Sequence, residues 1–78
     1  MTSATVQWRK ASDEKPGFTI FHADGPDGHY VIQRNRNSEV RTWRLAHRTG
    51  DTDPLRIIYI GNTLKDCQEY AHRRMETA

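Results

Sequence analysis

At 78 residues the chain makes one domain, and a domain of this length buries only roughly 60–65% of its extended surface, so its stability is marginal. Cys67 is its single cysteine, which excludes an internal disulfide and a thiolate zinc site and suits a reducing compartment. The net charge of +2 rests on arginine, with Arg9, Arg34, Arg36, Arg41, Arg44, Arg48, Arg56, Arg73 and Arg74 outnumbering Lys10, Lys15 and Lys65. Arginine favours bidentate contact with phosphate or carboxylate and stacks on aromatic rings. The opening MTSATVQWRK lacks the apolar core of a secretory signal, and the longest apolar run is 57–60, so the expectation is a soluble, cytoplasmic protein with no membrane partner.

Residues 1–4 read as a flexible polar tail. A short first strand is predicted over 5–10, with Val6 and Trp8 on one side and Gln7 and Arg9 on the other. Residues 11–17 form a loop punctuated by Pro16-Gly17. The second strand spans 18–22, with Phe18 and Ile20 on one face and Phe21 on the other. Two Asp-Gly pairs around Pro26 then announce a hairpin, because glycine supplies the positive φ such turns need.

The third strand runs over 29–36, the turn over 35–38, and the fourth strand over 40–48. Residues 49–54 are a polar loop. Residues 55–60 (LRIIYI) are apolar throughout, the pattern of a strand covered on both sides. A helix follows over 63–75, with Thr63 as N-cap and Asp66 in the first turn. Leu64, Cys67, Ala71 and Met75 share its apolar stripe, while Lys65, Glu69, His72 and Arg73 face water.

The predicted fold is therefore α+β: an antiparallel meander of four to five strands with one C-terminal helix across one face, in a single domain over 1–78. Tyr30, Ile32, Trp43, Leu45, Ile20 and Trp8 are expected to meet the helix stripe. Parity assigns His29, Val31, Gln33 and Asn35, with Thr42, Arg44, Ala46 and Arg48, to the uncovered face. Within 29–48 the arginines face one acid, Glu39, so the sheet is more basic than the whole chain. Such a face can simply be hydrated. It can also contact nucleic acid through Gln33, Arg34, Arg36, Thr42, Arg44 and Arg48, since arginine, glutamine and threonine reach phosphates and base edges. Alternatively Phe21, Val31 and Ala46 form an apolar patch rimmed by arginine, as in a protein-binding or homodimer surface.

Residues 29–75 resemble the three-stranded-sheet-plus-helix DNA-binding domains of the ethylene-response factors and of the arm-binding domains of tyrosine recombinases. The resemblance lies in Tyr30 with Arg34, Trp43, Gly61, Thr63, and Cys67 in the place of an alanine. It implies that arginines on the exposed sheet face enter the major groove, a role for Arg44 and Arg48, which Arg34 and Arg36 join if the strand twists or bulges near its turn. The chain departs from that pattern in two extra N-terminal strands, a long acidic loop at 49–54 and a shorter glycine-to-threonine spacing. Its size and layout are also similar to uncharacterised small proteins of actinobacteria and their phages.

No catalytic constellation is visible. His22, His29, His47 and His72 are spread over different elements without metal-ligand spacing, Asp24 and Asp27 read as turn residues, and Cys67 and His72 lie on different helix faces. Phosphate loops, dinucleotide fingerprints and serine elbows are missing. The expectation is a non-catalytic binding module without cofactor or metal. Nucleic acid is its first partner; the alternative is a protein partner or a second copy, as in a phage-encoded modulator of a host protein.

Overall fold

The computed structural model describes residues 7–11 and 16–77. The expected tail at 1–4, Thr5 and Val6 of the first strand, and loop residues 12–15 lie outside them. The elements are β1 (Arg9–Lys10), β2 (Phe18–Gly25), β3 (Gly28–Asn35), β4 (Trp43–Arg48), β5 (Arg56–Gly61) and α1 (Leu64–Thr77). The five strands form one antiparallel sheet in chain order, and α1 packs on one face of it. This is the α+β meander with a C-terminal helix that the alternation and the helical stripe imply. Among the described residues, no helix is long and apolar enough to cross a membrane.

The helix starts where its cap places it. The amide of Asp66 donates to Thr63 Oγ1 at 3.1 Å, satisfying one of the free N-terminal donors. Asp66 in the first turn and Arg74 in the last complement the dipole. Cys67, Ala71 and Met75, spaced by four, are buried and meet Tyr30, Ile32 and Leu45 from β3 and β4. Ile32 and Leu45 are fully buried, each stabilising the fold by about 1.5–3 kcal/mol. Burial also pushes the Cys67 thiol up, so it stays a neutral packing group. Two aromatic contacts tie the edges to the helix: Tyr59 of β5 stacks on Tyr70 at 4.4 Å, and Trp8 Nε1 donates to His72 Nε2 at 3.2 Å. His72 is thus half-buried against Trp8 rather than on the water face.

Parity in β3 and β4 holds: Ile32 opposes Leu45 on the helix side, while Val31 opposes Ala46 and Gln33 opposes Arg44 on the other. Three expectations are corrected. In β2 the two faces are exchanged, because the hairpin closes as Gly25 opposite Gly28 and the register counted back from it sets Phe21 against Ile32 and Ile20 against Gln33. Phe21 therefore packs against the core beside Trp43, with ring centroids 6.3 Å apart, and Ile20 lies on the uncovered face. Second, β4 begins at Trp43; Val40 precedes it and is 62% exposed. Third, β5 is not covered on both sides. It is the last strand of the sheet, and Leu55, Ile57 and Ile60 are 48%, 52% and 56% exposed.

Candidate functional site

The uncovered face follows from the registers. Across its middle run His22, Val31, Ala46 and Ile57, each opposite the next. Toward the β3–β4 connection lie Ile20, Gln33, Arg44 and Ile60; toward the β2–β3 hairpin lie Asp24, His29 and Arg48. A register shift between Leu45 and Ala46 puts one extra residue, Ile58, into β5, which is why Ile57 and Ile60, three apart, share a face. Val31 and Ala46 sit on this face as parity requires, yet both are buried, as is Ile20 beside them. With Phe21 on the helix side, the apolar patch expected from Phe21, Val31 and Ala46 does not form. Ile57 and Ile60 present the exposed apolar surface instead.

Most of the polar residues singled out from the sequence converge at the connection end. A groove of about 110 Å³ is lined by Phe18, Gln33, Arg34, Asn35, Thr42 and Arg44. The chain that borders it is held by short local bonds: the Asn37 amide donates to Asn35 Oδ1 at 3.0 Å, and the Val40 amide donates to Ser38 Oγ at 3.1 Å. The Arg36 amide donates to the Gly17 carbonyl at 2.8 Å, fastening this turn to the start of β2. Arg36 and Arg41 are exposed beside it.

Arg34 does not join Arg44 on the open face by twisting. Its side chain leaves β3 on the helix side and holds its guanidinium 5.7 Å from the centre of the Trp43 ring, while still bordering the groove. Arg48 lies four residues along β4 from Arg44, roughly 13 Å away, and belongs to the opposite end of the sheet.

The hairpin end holds a relay that single-strand reading does not show. Asp24 sits within β2, not in the turn, directly opposite His29. His29 Nδ1 lies 2.7 Å from Asp24 Oδ1, and His22 Nδ1 lies 2.9 Å from His29 Nε2. The chain is satisfied when His29 donates to Asp24 and accepts at Nε2 from His22. The hydrogen bond from His29 holds the Asp24 carboxyl below its ordinary range, and Arg9 Nη2, 3.6 Å from Asp24 Oδ2, adds to it. The pattern was available once the turn was placed at Pro26-Asp27, since the antiparallel register then pairs 24 with 29. Among the described residues no group of three histidine, cysteine or carboxylate side chains is arranged to hold a metal ion.

The face away from α1 thus carries guanidinium and amide groups at one end and a hydrogen-bonded Arg9–Asp24–His29–His22 network at the other. Comparison of the chain with family models, curated proteins and solved structures finds no match.

Proposed function

We propose that the chain is a small non-catalytic nucleic-acid-binding module that engages its ligand at the groove between β3 and β4. One observation carries this reading: the groove collects Gln33, Arg34, Thr42 and Arg44 beside Phe18 and Asn35. Amide side chains match base edges and guanidinium groups match phosphates. Arg36 and Arg41 extend the positive region along the connection. Arg44 → phosphate or base contact is also what the sheet-plus-helix resemblance implies. The test is fluorescence anisotropy with labelled single-stranded and duplex oligonucleotides at low ionic strength. Binding is expected to weaken linearly with salt on logarithmic axes. Replacing Arg44, which is exposed, with alanine should weaken it about tenfold, within the 1–3 kcal/mol of a contacting arginine. No binding to either oligonucleotide at low salt sinks the reading.

A protein-binding reading is favoured by a different observation, the exposed Ile57 and Ile60 on a terminal strand, with exposed Leu55 just before it. An apolar sheet edge is a template for another strand, and the partner this supports is a second copy of the chain. Sedimentation velocity then shows a dimer that becomes monomeric when Ile57 and Ile60 are both changed to lysine. A wild-type monomer at high micromolar concentration excludes it.

A further inference from the structure

A second basic site lies away from the groove, where the end of β4, the 49–55 connection, the start of β5 and the last turns of α1 meet. A cleft of about 400 Å³ opens there, lined by His47, Arg48, Thr49, Asp53, Arg56 and Arg74. Arg48, Arg56 and Arg74 thus line it together with one carboxylate, Asp53, while Asp27 borders the adjoining hollow beside His47, Thr49 and Arg74. Among the described residues no carboxylate lies within ion-pair distance of Arg48, Arg56 or Arg74. Asp53 is itself engaged, accepting from Thr49 Oγ1 at 2.6 Å.

The neighbouring Tyr30 and Tyr70 hydroxyls favour the charged form of Arg74, and its Nε–H is buried without an acceptor. A guanidinium whose Nε–H is buried and unsatisfied calls for a further partner. His47 is held: Nε2 lies 2.9 Å from the Asp27 carbonyl, to which it donates. The negative end of the helix dipole points toward this region, but Thr77 Oγ1 binds the Arg73 and Arg74 carbonyls at 3.2 and 3.1 Å, and the charge of Arg74 outweighs the half-charge of a helix terminus.

We propose that this cleft binds a phosphate monoester group, with Arg48, Arg56 and Arg74 as its cationic contacts and Thr49 as a hydroxyl donor. Guanidinium forks match phosphate oxygens in bidentate geometry. The volume lies within the usual range for small-ligand sites and exceeds what a bare phosphate fills, and Pro54 and Ile58 give an apolar wall for the group that carries it. The monoester is either a free small ligand or the terminal phosphate of a nucleic-acid strand.

The experiment is a two-dimensional amide NMR titration of the full chain with inorganic phosphate, a nucleoside 5′-monophosphate, and an oligonucleotide with or without a 5′-phosphate. The monophosphate is expected to shift amides of 47–49, 56 and 74 ahead of those at 33–44. Arg56→Ala, at an exposed position, should weaken monophosphate binding about tenfold, while Lys65→Ala, at an exposed position lining neither the groove nor the cleft, leaves it unchanged. Asp53→Asn should strengthen it several-fold, a gain that a merely structural role would not produce. Tighter binding of the phosphorylated strand than of its 5′-hydroxyl counterpart, lost in Arg56→Ala, assigns the phosphate to a strand end; tight monophosphate binding with no difference between the strands assigns it to a free ligand. Shifts spread over all arginine-bearing segments, or an Arg56→Ala titration identical to wild type, overturn the proposal. Because the groove is probed by Arg44 and the cleft by Arg56, failure of one reading leaves the other standing or falling by itself.

Discussion

Replacing Gly28 with alanine is expected to destabilise the fold by about 3–5 kcal/mol, the largest effect of any single methyl group in the described chain. Gly28 follows the Pro26-Asp27 turn with φ +133°, a backbone conformation that L side chains rarely adopt, and among the described residues no residue other than glycine has positive φ. Space closes the position as firmly as conformation does. A Cβ there would lie 2.1 Å from the Arg48 carbonyl oxygen and 2.9 Å from His47 Nε2. The first of these is backbone of the neighbouring strand, so relief requires β3 and β4 to separate at the point where the His47–Asp27 bond joins turn to sheet. In a domain of this size each kcal/mol lowers the midpoint by roughly 4–8 °C, so thermal unfolding should show a fall of about 15 °C or more. Gly50→Ala is the control: its nearest contact would be an Asp53 side-chain oxygen at 3.3 Å, and the change should cost less than about 1 kcal/mol. Equal midpoints for the two variants would falsify the account.

The same hairpin explains what could be read from the residues alone. Tyr30, Ile32, Trp43 and Leu45 alternate with polar neighbours, so period two assigned both faces of β3 and β4 without ambiguity. In β2 both faces carry large apolar residues, Ile20 and Phe21, and alternation cannot choose between them; the Gly25–Gly28 closure does. In β5 the uniform apolar run implied double burial, but strand order makes it an edge, and order is a long-range property that a local pattern does not contain. The groove was half legible. Gln33, Thr42 and Arg44 follow from parity, whereas Arg34 over Trp43 and the contribution of Phe18 depend on how the strands and their connection curve. The cleft near α1 joins residues from His47 to Arg74; parity singled out Arg48 and helix-end preference Arg74, but no local signal brought them together with Arg56.

Raising the pH should expose the cost of burying Tyr30. Its side chain is fully buried, its hydroxyl donates to Asp27 Oδ2 at 2.7 Å, and its ring packs 4.6 Å from that of His47. Burial and then the Asp27 hydrogen bond push the hydroxyl from 10.0 up to about 12, with Arg74 pulling the other way. The folded state therefore holds this proton more tightly than the unfolded chain does. The stability it confers is fully present below pH 10 and is lost as the pH rises from 10 through 12, on the order of 2–3 kcal/mol in all. Tyr30→Phe separates this from general alkaline effects. At neutral pH the variant loses the donor to Asp27, whose Oδ1 is already buried without a partner, and should cost about 1–3 kcal/mol. Above pH 10 its stability should fall less steeply than that of the wild type, because the buried proton is no longer there to lose. Urea unfolding curves collected in steps between pH 8 and pH 11.5 measure both quantities, and parallel alkaline slopes for the two proteins would show that Tyr30 is not the group responsible.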